Sequence, residues 1–191
     1  MAETEKQARH APRHRVEYAL ARMLERAVGT LPEGMADAFG RRLGAMVYRL
    51  GIRRGTVDEN LRLAFPEATE AWRADVARRA YEHLGREAAA MLRLSRLDPQ
   101  AVIDRTVPKG WDELEGALAE GNGCLLVTGH YGNWEIAAAT VAARGVPIAA
   151  IVRRQGNRLV NDRLNELRHR LGVETITQRE APSRVPRLLR P

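Results

Sequence analysis

In the first half of the chain, apolar residues recur every three or four positions. One such stretch runs from Arg13 to Val28 and a second from Met35 to Leu50, with the helix-breaking sequence "GTLPEG" between them. This spacing places the apolar residues on one face of a helix, so it predicts two amphipathic helices. Residues 1–12 are polar and mixed in charge, and we predict that they form a disordered tail.

The pattern continues to residue 120 with further helices. Pro66 ends a helical run, because the residue before a proline avoids helical angles. Thr69 is predicted to cap a long helix over about 70–94. A short helix is predicted to start at Asp98-Pro99, and another to cover about 111–120.

The character of the sequence changes after residue 120. Three short apolar runs, "CLLVT" (124–128), "PIAAIV" (147–152) and "VETIT" (173–177), alternate with helical stretches at about 134–144 and 157–171. Strands that alternate with helices form a parallel sheet with right-handed crossovers. The predicted fold is therefore α/β, with N-terminal amphipathic helices followed by a β-α-β-α-β parallel sheet.

Composition narrows the class of protein. The chain has 191 residues and a single cysteine, Cys124, which excludes an internal disulfide and a multi-cysteine metal site. We predict no metal and no cofactor. No run of about 18 apolar residues occurs, and the N-terminus lacks the apolar core of a signal peptide.

The charge is positive and unevenly distributed. The net charge is +7, and residues 153–191 hold ten basic and four acidic side chains. Such a surface suits membrane phosphates, nucleic acid or an acidic carrier. Ordinary solvent-exposed helix faces explain the charge equally well. Only two of the 31 basic residues are lysine, and codon bias produces such an excess of arginine. Nucleic acid is disfavoured because aromatic residues are few and do not alternate with the arginines.

The two N-terminal helices carry a second basic cluster. Five arginines and no acidic residue lie between positions 41 and 54. A basic amphipathic helix pair can lie on an anionic bilayer with its apolar face among the headgroups. The alternative is a solvated polar face on helices that pack against a protein core. We predict membrane association for residues 13–55.

The candidate chemistry lies in "TGHYGNWE", which follows the first predicted strand. His130 stands where ligands gather in open parallel sheets, at the carboxyl end of a strand. Asn133 suits a helix N-cap, which places Glu135 in the first helical turn. A carboxylate that accepts from one imidazole nitrogen leaves the other nitrogen as a base toward a substrate hydroxyl. The pair would then act without a protein nucleophile.

Simpler explanations of the same residues remain open at this point. A histidine before a helix is often a cap, and a glutamate in a first turn favours the helix dipole. The His-x-x-x-His spacing of metal ligands is absent, as are a Gly-Lys-Ser/Thr phosphate loop and a Gly-x-Ser-x-Gly elbow.

Over roughly residues 13–191, and in three separate motifs, the chain resembles the bacterial lipid A biosynthesis acyltransferases, the late lauroyl and myristoyl transferases of the lysophospholipid acyltransferase superfamily. "KGWDELEGALAEGNGCLLVTGHYGNWE" contains the His-x4-Asp/Glu hallmark, "VDENLRLAFPE" matches an Asn-Leu-x-x-x-Phe-Pro stretch, and "IVRRQGNRLVNDRLNELRHRLG" matches an Arg-x-x-x-Asn…Arg…Gly segment. The resemblance implies that His130 and Glu135 are catalytic. It also implies that substrate binding involves Asn133, Arg153, Arg154, Asn157 and Arg168.

The resemblance further implies a reaction and a location. A fatty acyl chain would move from an acyl carrier protein thioester, or from acyl-CoA, to a hydroxyl of a glycolipid such as a lipid A precursor. A phosphatidylinositol mannoside acceptor is the alternative within the superfamily. The enzyme would work at the cytoplasmic face of the bacterial inner membrane, where it would be peripheral or weakly anchored. It would bind an anionic membrane surface and not nucleic acid.

Members of this family are longer than this chain and carry an Asp-Gln motif in their second half. We therefore expect residues 56–191 to be the N-terminal part of an acyltransferase domain that is truncated at its C-terminus. Low stability and little activity are expected of such a chain. A membrane-surface protein without transferase activity is the alternative function.

Overall fold

The computed structural model describes the backbone of residues 2–129 and 131–189, with side chains from residue 12 onward in those ranges. The chain divides into two compact units. We call Leu24–Leu94 the helical unit, and we call the residues up to Met23 together with those from Ser95 onward the sheet unit. Helix α1 (Ala2–Thr30) contributes to both units.

The helical unit contains the end of α1 followed by α2 (Glu33–Arg49), α3 (Arg54–Ala64) and α4 (Glu70–Leu92). The N-cap predicted for α4 is confirmed, since the Thr69 hydroxyl accepts a hydrogen bond from the amide of Trp72 at 3.2 Å. The predicted helices in this part of the chain are all present.

Small residues allow α2 and α4 to cross closely. Ala36, Gly40 and Gly44 lie four residues apart on α2 and are buried, and Tyr81 and Gly85 are buried on α4. A Cβ atom added to any of these three glycines would overlap a backbone carbonyl oxygen of the opposite helix. The crossing therefore depends on the absence of side chains at these positions.

The large apolar residues of α2 lie on a different face from its glycines. This α2 apolar stripe consists of Met35, Phe39, Leu43, Met46 and Leu50, which are all exposed. Helix α4 packs against the small residues instead, so the stripe remains available to another surface.

The sheet unit contains the predicted helices and two of the three predicted strands. Its helices are α5 (Pro99–Arg105), α6 (Trp111–Ala119), α7 (Trp134–Ala143), α8 (Arg158–Arg170) and α9 (Ala181–Leu188). Asp98 caps α5 as predicted, because its carboxylate accepts from the amide of Ala101 at 2.8 Å.

Two strands form the sheet of this unit. Strand β1 (Ile148–Val152) pairs in parallel with β2 (Val173–Thr177), and Ile148 lies opposite Val173. Helix α8 connects the two strands. The buried apolar residues around them are Ala139, Leu167, Leu171, Val173 and Ile176.

The predicted first strand is not formed. Residues 124–128 have no regular structure, and Leu125, Leu126 and Val127 are 65%, 56% and 95% exposed. A strand exists only when a neighbour supplies the other half of its hydrogen bonds, and an apolar run in the sequence does not reveal whether that neighbour is in place. In the part of the chain that the structure describes, the sheet therefore has two strands instead of three.

Residues 13–55 were predicted to be the part of the chain that associates with a membrane. The two compact units are defined by packing within the protein and do not test that prediction. The division at residues 13 and 55 therefore stays a prediction. Within the described residues, no helix combines the length and the apolar character needed to cross a bilayer.

Candidate active site

Glu135 lies in an apolar helix. It is the only charged residue of α7, whose sequence is "WEIAAATVAA", and it is only 7% exposed. A carboxylate that is removed from water in this way needs a cation or hydrogen-bond donors around it, since burial of an isolated charge is very unfavourable.

Arg168 on α8 provides that cation. Its Nε donates to Oε2 of Glu135 at 2.8 Å, and its Nη2 donates to Oε1 at 2.5 Å. The same guanidinium donates through Nη1 to Oδ1 of Asn165 at 3.1 Å. The Arg168 side chain is 13% exposed, so the ion pair is two-pronged and largely buried. This contact fixes the carboxylate of α7 against α8.

Asn133 begins α7 as predicted. Its Oδ1 accepts from the amide of Ile136 at 3.0 Å, which makes it the N-cap of the helix. Its Nδ2 is buried and has no hydrogen-bond partner among the described residues. The capping contact fixes the plane of the amide, so the buried donor also has a fixed direction.

The predicted base, His130, lies outside the described residues. On its C-terminal side, Tyr131 is 93% exposed and Gly132 has a φ of 67°, a left-handed conformation that favours glycine. The predicted pairing of His130 with Glu135 stays a prediction.

Arg153 and Arg154 directly follow β1 and are both exposed. They lie at the carboxyl end of a parallel strand, the edge at which ligands of open α/β sheets bind. Their predicted role in substrate binding is untested.

Asn157, another predicted substrate ligand, makes contacts within the protein. Its Oδ1 accepts from the amides of Leu159 and Val160 and so caps α8. Its Nδ2 donates to the carbonyl of His14 at 2.9 Å and to Oε2 of Glu17 at 3.0 Å, both on α1.

Arg13 holds the other oxygen of the same Glu17 carboxylate at 2.7 Å. The hydrogen bonds from Arg13 and then Asn157 lower the pKa of Glu17 below its usual 4.5. The lowered pKa means that these contacts stabilise the fold at neutral pH. Their contribution is lost as the pH falls through the lowered pKa.

Comparison with known proteins now adds to this geometry. The family of bacterial lipid A biosynthesis acyltransferases matches this chain over residues 3–190. The chain belongs to this family.

Two curated relatives agree with the assignment. The chain is 27% identical over 148 residues to the lipid A biosynthesis myristoyltransferase of Escherichia coli (strain K12), which covers 76% of this chain and 45% of that protein. The lipid A biosynthesis acyltransferase 1 of Shigella flexneri matches with the same identity and coverage. The match therefore spans less than half the length of each relative. The comparison with solved structures found no significant match.

One contact of the candidate site in this lipid A acyltransferase family member was not predicted from the sequence, namely the pairing of Arg168 with Glu135. A lone carboxylate in an apolar helix does signal that a cation must lie nearby. However, the chain holds 31 basic residues, and the family resemblance indicated Arg168 as a substrate ligand and not as the partner of Glu135. The predicted role of Arg168 in substrate binding stays a prediction. The contact joins residues 33 positions apart on different helices, so only the tertiary structure identifies it.

Proposed function

We propose that this protein transfers a fatty acyl chain from an acyl carrier protein thioester to a hydroxyl of a glycolipid such as a lipid A precursor. The observation that carries the proposal is the buried ion pair between Glu135 and Arg168. Glu135 lies five residues after His130 and forms with it the His-x4-Glu motif of the family. Membership of the lipid A acyltransferase family supports the class of donor and acceptor.

In the proposed reaction, His130 is the general base. Its imidazole takes the proton of the acceptor hydroxyl as the hydroxyl oxygen attacks the thioester carbonyl carbon. A carbon–oxygen bond forms, the carbon–sulfur bond breaks, and the departing thiolate receives the proton from His130. No acyl-enzyme intermediate is needed, because the acceptor oxygen is itself the nucleophile.

Glu135 would orient and charge-stabilise His130 in this scheme. A carboxylate has about four lone-pair positions, of which Arg168 uses two, one on each oxygen. Glu135 can therefore still accept from an imidazole N–H. In this scheme the histidine is the base, and the glutamate orients it.

The site would be completed by a third strand. We infer that residues 124–128 join the parallel sheet, giving the β-α-β-α-β order and bringing His130 to the carboxyl edge beside Arg153 and Arg154. The exposure of Leu125, Leu126 and Val127 supports this inference, since joining the sheet would cover apolar side chains. The two arginines would then bind phosphate groups of the donor or the acceptor.

A peripheral position at the cytoplasmic face of the inner membrane fits the helical unit. The α2 apolar stripe is exposed, and Arg41, Arg42, Arg53 and Arg54 are also exposed. Replacing these four arginines with glutamine should weaken binding to anionic vesicles by at most about 1 kcal/mol per residue, with no change on neutral vesicles. Salt-independent and equal binding to both kinds of vesicle would remove the electrostatic part of this proposal.

The transfer reaction itself can be tested with product masses. The protein, in its full-length context, is incubated with an acyl carrier thioester or acyl-CoA and with a lipid A precursor or a phosphatidylinositol mannoside. His130→Ala should slow transfer about 10²–10⁴-fold, the usual contribution of a general base. Glu135→Gln should also slow transfer, but by a smaller factor than His130→Ala.

Two surface variants serve as controls for this experiment. His83→Ala removes a histidine that is 47% exposed on α4, and Glu166→Gln removes a carboxylate that is 68% exposed on α8. Both should transfer at the wild-type rate. Normal turnover by His130→Ala would show that the proposed base is wrong.

A further inference from the structure

Asn157 has no free hydrogen-bonding position. An asparagine amide offers two N–H donors and one oxygen with two lone pairs. The oxygen of Asn157 accepts from Leu159 at 3.0 Å and Val160 at 3.4 Å, and the nitrogen donates to His14 and Glu17. A substrate that bound here would have to break one of these contacts.

The two sets of contacts join α1 to the start of α8. The acceptors on α1 lie 143 and 140 residues before Asn157 in the chain, so this amide ties together distant parts of the sheet unit. The Glu17 carboxylate is itself fixed by Arg13, so Asn157 donates to an oriented group.

Helix α8 connects this contact to the candidate active site. Asn157 caps its first turn and Arg168 lies in its last turn, about 16 Å away at 1.5 Å per residue. A displacement at one end of a continuous helix reaches the other end, because its backbone hydrogen bonds keep it rigid. Arg168 in turn holds Glu135.

We propose that Asn157 is a positioning residue, which fixes α8 to α1 so that Arg168 can hold Glu135, and that it is not a substrate ligand. This inference rests on the proposed acyl transfer, and it makes residues 12–23 of α1 part of the support of the active site. Glu17 of α1 thus contacts the start of α8, whereas Val16 and Leu20 are exposed.

The decisive variant is Asn157→Asp. Aspartate keeps the oxygen that caps α8 but removes both donors and places a second carboxylate against Glu17. Hydrogen exchange in residues 12–23 should become about tenfold faster, because two contacts with α1 are lost. Transfer should slow by about tenfold or more.

A second substitution should reverse both effects. In Asn157→Asp combined with Glu17→Gln, the new glutamine amide can donate to the aspartate and restore the contact with the polarity reversed. Exchange and transfer should both return to within about threefold of wild type. Glu17→Gln alone should change little, because its oxygen still accepts from Asn157.

Asn161→Asp is the matched control on the same helix. Asn161 accepts from the amide of Gln155 at 3.0 Å, and its Oδ1 survives the substitution. It introduces the same charge near the start of α8 and leaves the contacts of Asn157 with His14 and Glu17 in place, so exchange in residues 12–23 should stay as in wild type.

The outcomes separate the two hypotheses about Asn157. If it binds substrate, Asn157→Asp will lose transfer without faster exchange in α1, and Glu17→Gln will not rescue it; that result overturns the proposal, as does unchanged exchange alone. If exchange responds and is rescued but no variant, including wild type, transfers an acyl group, the contact with α1 stands and the proposed function fails.

Discussion

Two buried contacts, one in each unit, differ in the residues that form them. They are the α2–α4 crossing of the helical unit and the Glu135–Arg168 contact of the sheet unit. The crossing is made by three glycines, at which an added Cβ would meet backbone atoms of the opposite helix. The contact in the sheet unit is made by two charged groups with 6% and 13% of their side chains exposed.

The difference separates a contact that serves stability from one that stability alone does not explain. Close packing of backbones gains dispersion energy and leaves no group available for chemistry. A buried ion pair gains little net stability over an apolar pair of the same volume, since desolvation offsets the attraction. Stability alone therefore does not explain why α7 holds a carboxylate opposite an arginine, and this supports the proposed role of Glu135.

The largest predicted effect comes from breaking the ion pair on one side. Arg168→Gln leaves the carboxylate of Glu135 buried without its cation, and we expect the free energy of unfolding to fall by about 3–5 kcal/mol. Urea denaturation followed by circular dichroism measures the loss. Arg168→Lys keeps the charge but cannot contact both oxygens at once, so it should lie between Arg168→Gln and wild type.

Two further variants sharpen this prediction. Arg158→Gln removes an arginine of the same helix that is 82% exposed, and it should change stability by less than about 0.5 kcal/mol. Combining Arg168→Gln with Glu135→Gln removes both charges and should recover much of the lost stability. A single variant Arg168→Gln that is as stable as Arg158→Gln would show that the buried pair is not formed in solution.

The crossing in the helical unit should respond to volume instead of charge. Gly44→Ala places a Cβ against the carbonyl of Tyr81, a backbone atom that cannot rotate away, and should destabilise the protein by about 1–3 kcal/mol. Gly34→Ala is the control, since an added Cβ there meets no heavy atom within 4 Å. Thermal melts should show Gly34→Ala neutral or stabilised by up to about 1 kcal/mol. Equal melting of the two variants would contradict the close crossing.

The sequence predicted the helices and strands that depend on local signals. The N-caps Thr69 and Asp98 are confirmed, and β2 covers the predicted residues 173–177. These succeed because a capping oxygen, or a short run rich in β-branched residues, acts over a few neighbouring positions. The strand at 124–128 was predicted on the same kind of signal, but its formation depends on a distant partner, and the sequence does not contain that information locally.

In the candidate site, too, the features that depend on local sequence were predicted and the contacts between separate helices were not. The motif identified Glu135 and the N-cap Asn133 because both depend on the start of one helix. The partner of Glu135 and the two contacts of Asn157 with α1 depend on how separate helices pack, and they were not predicted. The resemblance to the family indicated that Asn157 is a substrate ligand. In the structure, every donor and acceptor position of its side-chain amide is hydrogen-bonded to another group of the protein.

The smallest predicted effect concerns Asn133, whose side-chain oxygen is hydrogen-bonded and whose side-chain nitrogen is not, within the described part of the chain. Its Oδ1 caps α7, and its Nδ2 is buried without a partner among the described residues. Asn133→Ala should lose the cap and about 1 kcal/mol, whereas Asn133→Ser keeps a capping oxygen and removes the unpaired donor, so its unfolding free energy should equal or exceed that of wild type. Chemical denaturation of the three proteins measures the difference. If Asn133→Ser is as unstable as Asn133→Ala, the cap contributes nothing. If it is stable yet slower in acyl transfer, the buried Nδ2 donates to a group that is in place only during the reaction, as substrate binding by Asn133 requires.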